Sequence, residues 1–499
     1  MTDSPEKNKV ASLTPDLNKI IEHSTKIEEG APTQYHLEQN AVEEFELFKT
    51  MTYGKRDSNK PHKTILMVGE TGTGKTKLIN ALINYKMGVQ SRDKVWYEFT
   101  DDPNNRTSAQ SQTSIITVYG IYLQVSPIHL TIIDTPGYGD MHAVNEKEIA
   151  MSLLKLSGFD YLLHKIDAVC LVIKATQNRL SDRQIYIFDA IQSLFGKDVV
   201  ENIVLLVTFS HGAHPKNALT AVKEAKFQCA VNDKNEPVYF LFDNCQGETF
   251  HEEYQNIQEQ SWNISFGGMR GFFAFLDKTK PKPLMITQDV LQQREQLEET
   301  ILKIKSHTEM IKEKNNSKVE VTYKEKVQID TSKASMAMCC TVCQENCHYP
   351  GCWWVRDLSW CSVMKNNHCT VCTNKCHYTK HIKEDKIYKT TKEMVTNKDF
   401  KKNVKIVDGE SLLNNLEEEL QELKLEKMKL VIEAFHCVKT LGMIALNTDS
   451  LITLQHVDFL IHELKEIKEP EKAETLENIK KRAGEEKNKV LEYMKMYYK

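Results

Sequence analysis

The octapeptide Gly69-Glu70-Thr71-Gly72-Thr73-Gly74-Lys75-Thr76 fits the pattern G-x-x-x-x-G-K-[ST], and its flanks restrict what can be built around it. Before it lies Thr64-Ile65-Leu66-Met67-Val68, an apolar, β-branched run of the kind that forms strands buried on both faces. After it come Leu78, Ile79, Leu82 and Ile83 at helical spacing. Strand, glycine loop and helix, in that order, aim the backbone N–H groups of the loop and of the helix N-terminus at a phosphate. The pattern predicts that Gly69 to Thr76 cradle nucleotide phosphates, with Lys75 reaching the β and γ phosphates and the Thr76 hydroxyl ligating Mg²⁺.

A second motif extends the first. His129-Leu130-Thr131-Ile132-Ile133 is another buried-strand run, and it ends in Asp134-Thr135-Pro136-Gly137. A carboxylate at the tip of a strand beside the phosphate loop can hold the Mg²⁺ shell, and the Gly137 N–H can meet a γ-phosphate. Further strand-like runs at 167–173, 202–207 and 238–242 alternate with amphipathic segments. Alternation of this kind implies an α/β domain with a mainly parallel sheet covered by helices and a ligand at the carboxyl ends of the strands.

GETGTGKT followed by DTPGYGD resembles the G domains of septins and of AIG1-type GTPases, and nearly the whole chain is similar to a vertebrate group that joins such a domain to a cysteine-rich module and a helical tail. The resemblance implies GTP or GDP as the ligand, with Mg²⁺, and pairing of G domains across the nucleotide face. It also implies that Ser111-Gln112-Thr113 carries the switch threonine, which makes Thr113 a third magnesium-site residue beside Thr76 and Asp134. Two positions depart from the pattern. Where such proteins place T/N-K-x-D, with an Asp that grips the guanine edge, this chain has Thr208-Phe209-Ser210-His211, and a neutral imidazole offers a single acceptor. Thr208 and His211, with Asp243 or Asn244 after the next strand, are the base-binding candidates. Tyr138 stands where Ras-like enzymes keep the Gln that orients water, so slow hydrolysis or none is expected.

The chain has 499 residues, enough for two or three domains, and a net charge of −4, which carries no nucleic-acid signature. The N-terminal residues lack a signal-peptide pattern, and no apolar run reaches bilayer length, so a cytoplasmic location is expected. That setting bears on the cysteines. Of 13, nine fall between Cys339 and Cys376 and form two copies of C-x2-C-x3-C-x4-[CH]. The first copy supplies Cys340, Cys343, Cys347 and Cys352; the second supplies Cys369, Cys372, Cys376 and His381. A Cys-to-His exchange suits tetrahedral Zn²⁺ and not a disulfide. Two zinc ions per chain are expected, one per copy, with a cross-braced mixture of ligands as the alternative. Trp353, Trp354 and Trp360 are expected to pack around the metals.

Gln288 to Lys314 reads as a long polar helix. From Leu413 to Ile444, apolar residues at spacings of three and four, interrupted once by Lys427, read either as a coiled-coil seam or as one face of a helix hairpin packed against the segment Leu451 to Ile467. Beyond Glu469 the chain is charged, and a frayed helix is expected. The resulting organisation is an N-terminal extension (1–60), a G domain (61–278), a helical linker (284–332), a two-zinc module (338–392) and a helical tail (400–499). Self-association through the G domain, the tail or both is expected. Function reads as a GTP-binding switch or assembly protein with slow GTPase activity, or else as a scaffold whose nucleotide site is structural.

Overall fold

A computed structural model of the chain describes residues 15–46, 48–100, 115–138, 146–157, 165–177, 180–351, 354–396 and 406–497. The polypeptide divides into two units, one comprising residues up to 299 together with 433–499, the other residues 300–432.

The first unit is built on an eight-stranded sheet. Its strands are β1 (Ala41–Glu44), β2 (Phe48–Gly54), β3 (His62–Val68), β4 (Ile116–Tyr122), β5 (His129–Asp134), β6 (Ala168–Lys174), β7 (Ile203–Thr208) and β8 (Tyr239–Leu241), in the order β8-β7-β6-β3-β5-β4-β2-β1. β3, β5, β6, β7 and β8 run parallel, and their near-continuous apolar sequences fit burial on both faces. β4 is antiparallel to β5, and β2 follows β4 in parallel. The sheet therefore takes in residues 41–54, which the sequence reading assigned to an extension. Their hairpin is short and polar on its outer strand, a pattern suited to closing an edge.

Helices α1 (Lys75–Met87), α2 (Glu146–Ser157), α3 (Asp182–Ser193), α4 (Lys216–Glu224) and α5 (Gln255–Lys278) cover this sheet. In α1, two buried asparagines fasten the chain that follows. Asn84 Oδ1 accepts from Tyr97 N at 2.9 Å while its Nδ2 donates to Tyr97 O at 2.7 Å, and Asn80 Oδ1 accepts from Phe99 N at 3.1 Å. These bonds satisfy the backbone of the short strand Val95–Glu98, which pairs with Thr33–Leu37 outside the main sheet.

This unit also takes in the start of long α6 (Met285–Asn316), the end of α7 (Glu410–Ile444), and all of α8 (Leu451–Glu466) and α9 (Pro470–Tyr497). Asp189 of α3 is the anchor: its carboxylate accepts from Leu451 N at 2.7 Å, Asn447 Nδ2 at 2.7 Å and Lys487 Nζ at 2.9 Å. Arg294 Nη2 donates to Ser450 Oγ at 3.0 Å, and Leu446 N donates to Phe195 O at 2.8 Å. α9 is continuous apart from a break at Gly484 (φ 81°) and buries Leu476, Ile479, Val490 and Leu491, so its charged composition does not leave it frayed.

In the second unit, the ends of α6 and α7 run side by side in antiparallel register, with His307 against Glu426 at 3.1 Å and Lys314 against Glu419. Leu413 and Leu420 of the apolar seam are buried, and the neighbour of this part of α7 is α6, not the segment Leu451 to Ile467. A three-stranded sheet, in which β9 (Lys318–Gln328) lies between β13 (Lys386–Thr396) and the short strand Ile406–Asp408, carries the cysteine-rich segment at its far end. There β10 (Ala337–Cys340) lies between β11 (Glu345–His348) and β12 (His381–Glu384).

Candidate functional site

The phosphate loop joins β3 to α1. Gly74 caps the helix at φ 85°, a left-handed conformation that needs glycine, and turns the N-terminus of α1 toward the loop. Lys75 is 7% exposed, and its Nζ donates to Gly69 O at 3.0 Å and Glu70 O at 3.2 Å. Burial pushes its pKa down, opposed by the carboxylates of Asp134 and Glu70. A buried cation that rests on its own loop carbonyls is a strong local demand for an anion.

Asp134 ends β5 with no solvent exposure, one strand away from the loop. The segment after it folds back over the phosphate loop: Thr135 N and its hydroxyl both donate to Met67 O, Tyr138 N donates to Gly69 O at 3.1 Å, and Thr71 N donates to Tyr138 O at 3.2 Å. Gly137 lies so close that a Cβ there would come within 2.6 Å of Thr71 Cα and 2.8 Å of Thr71 N. Only glycine fits. The structure thus brings Gly69 to Thr76, Asp134 and Gly137 together, whereas Thr113 lies outside the described residues. Tyr138 is 1% exposed and packs inward.

The base-side candidates separate. The Thr208 hydroxyl is buried and lies 2.6 Å from Thr73 O and 3.1 Å from Ile173 O, so it braces the phosphate loop instead of facing a base. His211 is exposed. Asn244 is the most suggestive of the three, because its Oδ1 and Nδ2 are both enclosed without a partner. Its loop is held by α5, where the hydroxyls of Ser261 and Ser265 donate to Asp243 O at 2.8 Å. Sequence reasoning sought hydrogen-bonding groups and passed over Phe209. That residue adopts φ 51°, is 46% exposed, and lays its ring against Gly74, with Lys174 Nζ 5.8 Å from the ring centroid. An exposed aromatic ring beside a phosphate loop can stack on a base. The signal available in the sequence was an aromatic residue where the usual pattern has Lys.

In the second unit the cysteines meet, but not one copy per cage. Cys340, Cys343, Cys372 and Cys376 form one group and Cys347, Cys369, Cys372 and His381 another, with the ligand atoms of each group within 4.8 Å of one another. Both groups mix the two copies, so the tandem assignment gives way to a cross-braced one. The cause is strand pairing, which sets Cys340 opposite His381 and brings the end of the second copy onto the start of the first. Cys352 lies outside the described residues.

The donor set fits zinc. A tetrahedron with Zn–S bonds of about 2.3 Å has S···S edges of about 3.8 Å, and Cys343 Sγ and Cys376 Sγ are 3.7 Å apart. His381 Nδ1 is 3.1 Å from His377 O, which leaves Nε2 as the metal-facing nitrogen; that atom is enclosed without a partner. Trp354 and Trp360 are 66% and 75% exposed. They do not pack around the site, because Met338 and the sulfurs of Cys340, Cys347, Cys361, Cys369 and Cys372 already fill that core.

With this geometry in hand, residues 63–260 match the AIG1 family. Those residues are an AIG1-type P-loop GTPase domain. A septin homolog of Schizosaccharomyces pombe, spn1, is 34% identical over 76 residues, which is 15% of this chain and 15% of that protein. The chain thus spans about 15% of the length of that curated relative. Solved structures of Toc33 from Arabidopsis thaliana are also similar. The complex with Mg²⁺ and GMPPNP is 16% identical, covering 45% of this chain and 88% of Toc33, with a TM-score of 0.30. The complex with GDP and Mg²⁺ is 17% identical, covering 45% and 89%, also at 0.30. Among the described residues, no helix is long and apolar enough to cross a membrane.

Proposed function

We propose that the chain is a cytoplasmic GTP-binding switch or assembly protein with slow intrinsic hydrolysis, and that it carries a zinc-stabilised second unit. The observation that carries the nucleotide part is the enclosed Lys75 beside the enclosed Asp134 on an AIG1-type phosphate loop. Lys75 and the N–H groups of Gly72 to Thr76 bind the phosphates, and Thr76, Asp134 and Thr113 hold Mg²⁺, which supplies charge neutralisation at the β and γ oxygens. Phe209 stacks on the base, and Asn244 offers both an acceptor and a donor to its edge. Gly137 reports the γ-phosphate, because it is already in contact with Thr71 and any movement there shifts the Asp134 to Tyr138 segment.

Slow turnover follows from Tyr138, an inward-packed phenol with no means of orienting water. Measurable hydrolysis then depends on pairing of G domains, as the septin and AIG1 resemblance implies. The test is turnover per molecule against protein concentration. A rate that climbs with concentration supports pairing, and a high rate at extreme dilution refutes it. Zinc supplies folding energy to a segment whose core consists mostly of sulfur. Metal analysis of protein purified without chelator is expected to give two zinc ions per chain.

A further inference from the structure

Among the described residues, the two cysteine cages hold seven different residues between them, because Cys372 belongs to both. Two tetrahedral ions need eight ligand positions. We propose that the second unit holds a dinuclear zinc–thiolate cluster in which the Cys372 sulfur bridges the two metals. This rests on the zinc reading above and adds to it a shared ligand that separate cages would not have.

The local chain geometry explains why Cys372 is the shared residue. The turn Cys369-x2-Cys372-x3-Cys376 sends its first sulfur to one cage and its last to the other, with Cys372 in the middle. Cys369 Sγ accepts from Val371 N and Cys372 N, both at 3.4 Å, which fixes the first half of the turn. Cys372 Sγ accepts from Cys376 N at 3.2 Å, which fixes the second half. On the other side, Cys343 N donates to Cys340 Sγ at 3.3 Å. Cys372 is fully buried. Its sulfur therefore lies between three partners of the first ion, Cys340, Cys343 and Cys376, and three of the second, Cys347, Cys369 and His381.

Charge also favours this arrangement. Two Zn²⁺ ions set against six thiolates and a neutral imidazole leave a residual charge of about −2, spread over sulfurs that the backbone N–H groups just named already contact. A buried thiolate with two metal partners disperses its charge better than one with a single partner. His348 Nδ1 and Cys361 Sγ lie 3.1 Å apart, with Cys361 in the same core.

The experiment is zinc analysis with zinc-edge X-ray absorption on the full-length protein, purified without chelator. A bridged cluster gives two zinc ions per chain, a first shell of sulfur with a minor nitrogen component, and a zinc–zinc scattering path at about 3.5–4 Å, the spacing of metal pairs that share ligands. Two zinc ions without that path overturn the bridge and leave the zinc reading standing. One zinc ion also overturns it. No zinc, with the cysteines oxidised in pairs, overturns the zinc reading itself. Variants give an independent readout: Cys372→Ser is expected to lower the affinity for both ions together, while Cys343→Ser and Cys347→Ser each weaken one ion first. If Cys372→Ser fails to fold, the wild-type spectrum still decides. If it loses only one ion and keeps the other at wild-type affinity, the bridge is excluded.

Discussion

Asp189 is the point at which the C-terminal helices are tied to the G domain, and its replacement has a magnitude that can be worked out. Its side chain is 3% exposed and accepts from Leu451 N, Asn447 Nδ2 and Lys487 Nζ. In Asp189→Ala, the Leu451 N–H at the start of α8 loses its partner in a buried setting, which costs about 1–3 kcal/mol. Lys487 retains Asp449 at 3.1 Å, so its charge is not stranded. Burial lowers the Lys487 pKa, yet Asp189 and Asp449 together outweigh that and leave it raised, so both carboxylates matter to this cation. Breaking a buried pair usually costs about 3–5 kcal/mol; with Asp449 still in place, about 3–4 kcal/mol is expected. Asp189→Asn keeps an acceptor for Leu451 and should cost about half as much. Denaturant unfolding gives the number, and amide exchange in α8 and α9 locates it. A loss below 1 kcal/mol, or exchange that rises elsewhere and not in these helices, would show that the tail is not held by this carboxylate.

Two further outcomes concern the nucleotide site and the sheet. Phe209→Ala should weaken nucleotide binding roughly 5- to 150-fold, the range of about 1–3 kcal/mol for one base stacked on one ring, and an unchanged affinity in calorimetry would remove Phe209 from the site. His62 is held down to about 4 by burial and then by Arg56, whose Nη2 lies 3.0 Å from its ring nitrogen. The neutral ring is therefore the folded form, so stability is complete above pH 6.5 and falls as pH drops from 6.5 toward 4. After discounting for partial exposure, this contributes about 1–2 kcal/mol, and His62→Gln should flatten the stability profile across that window.

Where the sequence was informative, it was so for local reasons. β3, β5, β6 and β7 begin and end within two residues of the apolar runs that announce them, because a strand buried on both faces has to be apolar throughout. The phosphate loop was legible because its glycines and its lysine are each required by one backbone turn. The partners of Asp189 were not, since they lie more than 250 residues away in sequence and no local pattern marks them. The clustered cysteines and His381 were legible as candidates by spacing, but how they group depends on β10 pairing with β12, a long-range contact that repeats in sequence do not encode. Thr208 looked like a base contact because of its position, and it serves instead as a brace because the carbonyl of Thr73 is within reach of its hydroxyl.

The central reading is that this AIG1-type domain binds Mg²⁺-GTP through the phosphate loop, and titration calorimetry of the full-length protein with GTP and Mg²⁺, beside Lys75→Ala, tests it most directly. Saturable binding of one GTP per chain, weakened by removal of Mg²⁺ and abolished in Lys75→Ala, is the expected result. Equal titration curves for wild type and Lys75→Ala, or no heat with GTP in a protein that is shown to be folded, would contradict it.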